Sequence, residues 1–139
     1  MRYDEATSYL RQRPDSARII SSVEGGAHGY MTVRTNAVDN DSFNPMARTL
    51  NWDSNSGLLT SNGGVQTPAL GLGHELAHAA APPGLVMRLQ LVPAGAYGNL
   101  EEFRVINFWE AGAAAHLGEP ARLDHLGTPI RTQGPTVTY

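Results

Sequence analysis

The chain has 139 residues, 41% of them apolar and 17% charged, with a net charge of −3. That is enough for one domain with its own core, too short for two, and not charged enough to stay disordered. So small a negative balance gives a polyanion no purchase, and no nucleic-acid partner is expected. Cysteine is absent, which excludes a disulfide framework, a thiolate metal site and a cysteine nucleophile. Any metal must therefore be held by histidine, carboxylate and water.

The opening stretch "MRYDEATSYLRQRPD" lacks the apolar run of a signal peptide, and no segment approaches the length of a bilayer span. A soluble chain with no membrane partner is expected. All ten basic residues are arginine, a usage that fits a GC-rich genome better than escape from lysine-directed modification.

In chain order, Asp4 to Arg13 fits a short helix closed by Pro14, and the apolar, β-branched run from Ala17 to Val23 reads as a strand ending at Gly25-Gly26. A strand around Tyr30 to Thr35 follows, then a polar turn region, "NAVDNDSFNP". "RTLNW" and "GLLTS" flank Asp53-Ser54-Asn55-Ser56 like the arms of a hairpin, with Asn62-Gly63-Gly64 as the next turn. The first half therefore reads as a small sheet.

Thr67 followed by Pro68 opens a helix, because threonine caps exposed amides and proline suits the first helical position. The spacing predicts that helix over Pro68 to Ala81, stopped by Pro82-Pro83-Gly84. "LVMRLQLV" reads as one more strand. Asn99, with Glu102 three residues on, caps a second helix carrying Leu100, Phe103, Ile106 and Trp109 and ending near Gly118-Glu119-Pro120. The last twenty residues, rich in Gly, Pro and Thr, read as irregular.

The first of these two helices contains "GHELAH". Residues four apart on a helix project from one face, so the imidazoles of His74 and His78 can converge on one cation. Glu75 lies about 100° round from His74, beside the cation, where it can take a proton from water. Three protein ligands on zinc leave a position open and lower the pKa of water there to about 7. That combination hydrolyses amide bonds. The small residues Ala69, Gly73, Ala77 and Ala80 let the helix pack closely.

A third ligand is required. The HExxHxxGxxH extension fails, since Ala81 and Gly84 stand where glycine and histidine are needed. A carboxylate from the second helix remains, Glu101 or Glu102, with Glu110 as the fallback. Glu102 sits where a capping-box glutamate belongs, which leaves Glu101 as ligand and Glu102 as the partner that orients a histidine.

"GLGHELAHA", followed by "NLEEFRVI" and "GEPARLDHLGTPIRT", resembles the bacterial effector-type zinc metallopeptidases, a family of HExxH proteases with type III effectors among its members. It is similar, more remotely, to clostridial neurotoxin light chains. The match covers roughly residues 52 to 132. The resemblance implies an α+β, minimal zincin-like domain over residues 1–139: a small sheet, an active-site helix and a second helix carrying the third ligand. It implies Zn2+ held by His74, His78 and Glu101, the first glutamate of the Glu-Glu-x-Arg segment, with Glu75 as general base.

It also implies that a late arginine, Arg122 or Arg131, and a tyrosine stabilise the oxyanion. The tyrosine expected soon after Arg131 is replaced by Gln133 and Gly134, leaving Tyr139 for that role. A secreted effector or toxin acting in a target cell, with a protein or peptide substrate and an immunity partner, is the corresponding expectation. So is a C-terminal toxin module of a longer polypeptide. Without export the chain is cytoplasmic.

Two other classes stand beside this one: a non-catalytic metal-binding or protein-interaction module, and a zinc amidase acting on peptidoglycan peptides. His28 reads as a solvated loop residue and His116 as a helix-terminal charge. Asp124-His125 reads as a supporting pair or an alternative ligand set. Arg104 pairs with a carboxylate or meets substrate, and Trp52 and Trp109 belong to the core.

Overall fold

The structure is a computed structural model that describes residues 1–139. Two helices open it, α1 (Arg2–Leu10) and α2 (Pro14–Glu24). The second corrects the strand expected over Ala17 to Val23. Pro14 does not merely end α1; it takes the first turn of α2, where its missing N–H costs nothing. The buried residues Ser16, Ile20 and Val23 then recur at helical spacing. Adjacent β-branched residues are tolerated because tertiary burial outweighs their modest helix penalty.

Strands β1 (Thr32–Thr35), β2 (Ser42–Asn44) and β3 (Thr49–Trp52) form one sheet in the order β1-β3-β2, with β1 parallel and β2 antiparallel to β3. β2 lies within the stretch read as polar turn. Its hairpin to β3 is closed by Asn44, whose Oδ1 accepts the N–H groups of Met46 and Ala47. A second sheet contains β4 (Ser56–Leu59), β5 (Val65–Gln66) and β6 (Thr128–Arg131), ordered β5-β4-β6 and antiparallel throughout.

The hairpin expected between "RTLNW" and "GLLTS" therefore does not form: β3 and β4 belong to different sheets. The buried Asp53 carboxylate turns the chain between them. It accepts the N–H groups of Asn55 (3.0 Å) and Asp39 (3.1 Å) and a bond from Arg131 Nη1 (2.6 Å). The turn expected at Asn62-Gly63-Gly64 does form, with Gly63 at φ +93°, and joins β4 to β5. The C-terminal segment read as irregular supplies β6, which pairs with β4 from Ser56↔Arg131 to Leu59↔Thr128.

Helix α3 (Pro68–Ala79) is capped by Thr67, whose side chain accepts the Leu70 N–H. Pro83 then opens α4 (Pro83–Gln90), so "LVMRLQLV" is mostly helical rather than a strand. A single 3₁₀ turn (Gly95–Tyr97) leads to a continuous helix. Its segments are α5 (Leu100–Val105), a π-helical stretch (Ile106–Glu110) and α6 (Ala111–Leu117). Asn99 caps it by accepting the Glu102 N–H at 3.0 Å, and Gly118 ends it at φ +72°. No helix is long and apolar enough to cross a membrane.

The result is an α+β fold centred on α3, with α1 and α2, the α5–α6 helix and strands of both sheets packed around it. Every residue of α3 except Gly71 is buried. Leu70, Leu72 and Leu76 join Leu10, Ile20, Leu50, Trp52, Val105 and Trp109 in one core. Both tryptophans are core residues, as expected, and both indoles find acceptors: Trp52 donates to Pro68 O and Trp109 to Ser16 Oγ.

Gly73 fixes how closely the helices approach. A Cβ there would lie 2.2 Å from the Trp109 ring and 3.1 Å from Leu10 Cδ1. Gly73→Ala is therefore expected to cost about 1–3 kcal/mol through overpacking, seen as a lowered urea midpoint. Gly84→Ala, where a Cβ meets nothing within 4 Å, is expected to shift it little.

Candidate metal centre

One turn of α3 brings His74 and His78 together. Their Nε2 atoms are 3.1 Å apart, with the rings at 81° to each other, and the side chains are buried to 2% and 3% exposure. The outer nitrogen of each ring meets a buried carboxylate. His78 Nδ1 lies 2.7 Å from Glu101 Oε2, and His74 Nδ1 lies 2.9 Å from Glu110 Oε1. A carboxylate on Nδ1 holds the ring proton there and leaves the Nε2 lone pair to a cation.

The third group at the Nε2 pair is Glu102. Its Oε2 is 2.8 Å from His74 Nε2 and 3.3 Å from His78 Nε2. Ligands on a tetrahedral divalent ion at about 2.0–2.1 Å stand about 3.3 Å from one another, so this triangle has the right size. Glu101 was the expected ligand; the structure instead sets Glu102 at the Nε2 pair and Glu101 at His78 Nδ1. The Arg104 fork holds both Glu101 oxygens, at 2.7 Å each, and His78 Nδ1 takes what remains. Glu102 has no capping duty in its side chain: Asn99 bonds its backbone N–H and no reciprocal bond forms, so the carboxylate turns to the histidines.

Glu110, the fallback ligand, supports the site from behind. Arg122 grips both of its oxygens, Nε to Oε2 at 2.8 Å and Nη2 to Oε1 at 2.9 Å. On a regular α-helix Glu110 would lie about 80° round from Glu102. The π stretch between them takes up an extra residue and brings both onto the His74 face.

Burial alone would push the His74 imidazole down, yet bonds to Glu102 and Glu110 raise it to about 10. Burial likewise pushes Glu102 and Glu110 up, and the imidazoles outweigh it; Glu110, with Arg122 added, is held at about 2. Around two imidazoles stand the carboxylates of Glu75, Glu101, Glu102 and Glu110 against the guanidiniums of Arg104 and Arg122. With both imidazoles neutral and all four carboxylates ionised, this shell would carry two more negative charges than positive, a balance that suits a divalent cation. The buried cluster of His74, Glu75, His78 and Glu102 could hold a metal ion.

Glu75 differs from the other carboxylates. It is 8% exposed, takes no stabilising hydrogen bond, and is pushed up by burial more than His74 and His78 pull it down. It faces a polar cavity of about 200 Å3 that Asp41, Gln66, His74, Arg122 and His125 also line. Asp41 was not legible as a site residue, since only the β2 register brings it there. Its Oδ2 lies 2.8 Å from where a Cβ on Gly71 would be, one turn before Glu75. Burial, partly offset by the Asp53 N–H and reinforced by the charge of Glu75, lifts its carboxyl to about 7.

Of the expected oxyanion residues only Arg122 lines the cavity, its Nη2 3.1 Å from His74 Nδ1 and its Nε and Nη2 bonded to Glu110. Arg131 is half exposed and tied to Asp39 and Asp53, a role fixed by the β4–β6 pairing. Tyr139 is 72% exposed, and its backbone carbonyl accepts the Gln133 N–H. His28 and His116 lie outside the cluster. Of the Asp124-His125 pair, only His125 reaches it: its Nε2 is 3.2 Å from Glu102 Oε2 and its ring stacks on His74.

No family profile, curated protein or solved structure matches the chain.

Titration with Zn2+ against a competing chelator separates the two glutamates. Glu102→Ala is expected to weaken binding by more than about 100-fold, and Glu101→Ala by about 10–100-fold as the loss of an outer partner. The opposite order would restore Glu101 as ligand.

Proposed function

We propose that this domain is a zincin-like, zinc-dependent peptidase that hydrolyses peptide bonds. The observation that carries the reading is Glu75, a largely buried residue with no hydrogen-bonding protein partner, whose carboxylate opens onto a cavity beside the His74, His78 and Glu102 triangle. A carboxylate buried without a partner is costly, and a task as proton acceptor accounts for its retention.

The donor set fits zinc: two imidazoles and one carboxylate, no thiolate, and outer carboxylates on both rings. Zinc held there polarises a carbonyl and lowers the pKa of water. Glu101 and Glu110 hold the protons of His78 and His74 on Nδ1. Arg104 and Arg122 keep those two carboxylates ionised and aimed. Glu75, its carboxyl pushed up by burial, takes a proton from the attacking water and passes it to the leaving nitrogen. The cavity wall, with Leu58 as its one hydrophobic residue, suits a polar peptide segment.

The resemblance carried by "GLGHELAHA", "NLEEFRVI" and "GEPARLDHLGTPIRT" extends the proposal to an effector or toxin that acts on a protein in a target cell, with an immunity protein as partner.

Glu75→Gln is expected to leave zinc content near that of wild type and to lower turnover by about 10²–10⁴-fold. Elemental analysis reads the first. New protein N-termini in cells expressing wild type or the variant read the second. Equal cleavage by both proteins would refute the mechanism.

A further inference from the structure

His125 lies in the segment between α6 and β6, and that segment is pinned at several points. The His125 N–H bonds Ala96 O at 3.0 Å, and Asp124 accepts the Leu126 N–H and the Ser61 hydroxyl. The imidazole is thereby set against the buried cluster, 5.8 Å from the His74 ring and within 13° of parallel to it. Its Nε2 is 3.2 Å from Glu102 Oε2, the oxygen that also meets His74 and His78. Its side chain is 41% exposed, where the two helix-borne histidines are buried, and it lines the Glu75 cavity.

A carboxylate can only accept, so His125 carries its proton on Nε2 in this contact. When Glu102 Oε2 gives its lone pair to a cation, that N–H is left beside the reacting centre with less to bond. Arg131 is tied to Asp39 and Asp53, and Arg122, which lines the same cavity, bonds Glu110 through Nε and Nη2; His125 is the ring N–H donor beside Glu102 at the cavity. We infer that His125 is a further catalytic residue of the proposed peptidase, its Nε2–H donating to the scissile carbonyl oxygen as negative charge gathers there. No bond to His125 forms or breaks. The donor is in place beforehand, so it stabilises charge without reorganisation.

The inference rests on the peptidase reading, and the experiment separates the two. Wild type, His125→Ala and His125→Gln, loaded with Zn2+, are assayed on a quenched-fluorescent peptide mixture of random sequence, with zinc content and zinc affinity measured on each. His125→Ala is expected to lose about 10²–10³-fold in kcat, as for one oxyanion donor, with KM changed less than threefold and zinc affinity unchanged. His125→Gln, whose amide can donate, is expected to recover part of the loss. Full kcat in His125→Ala beside an active wild type would overturn the role of His125 alone. Zinc affinity lowered tenfold or more would make His125 a ligand and overturn it as well. A zinc-loaded wild type that cleaves nothing would overturn the peptidase reading and this one together.

Discussion

Everything around the site follows from burying two histidines on a helix that has almost no solvent face. Helix α3 lies at the centre of the fold, so the polar atoms of His74 and His78 must find partners inside the protein. The neighbouring helix supplies them as Glu101, Glu102 and Glu110, and two arginines hold two of those carboxylates in turn. Glu101, Glu110 and Arg122 are themselves buried and must be satisfied, so the network closes on itself. At its centre the two Nε2 atoms and Glu102 Oε2 converge, a set that a proton shared with Glu102 holds together and that a cation could hold in its place.

That geometry depends on how near the two helices come. Gly73 admits the Trp109 ring against α3, one residue before the first histidine. The π stretch then adjusts the helical phase, so that Glu102 and Glu110 meet opposite nitrogens of the same imidazole. Glu119 ties the far end together: it accepts the N–H and hydroxyl of Thr67, the cap of α3, and the Tyr9 hydroxyl. The start of α3 is thus anchored just past the end of the helix that supplies its carboxylate partners.

Local signals were read well where they act locally. Thr67 and Asn99 cap the helices expected of them, and the i, i+4 spacing of His74 and His78 survives folding because helix geometry is rigid. Pro14 and Pro83 were read only as stops, and each also opens the next helix, since proline marks both kinds of boundary. The pairing of β3 and β4 was misread because the chain reverses at Asp53 into a second sheet, and its partner β6 lies more than seventy residues on. No local pattern carries that information.

The amino-acid sequence by itself determined two imidazoles and a carboxylate on one helix, the absence of thiolate ligands, and a second capped helix bearing acids. Only the tertiary structure placed Glu102, and not Glu101, at the Nε2 atoms of the two histidines. Neighbours on a helix differ by about 100° in direction, and which one faces α3 depends on where Arg104 and His78 stand when the helices pack. The same packing placed His125 and Asp41 at the cavity, because residues distant in the chain become neighbours only when the core closes around α3.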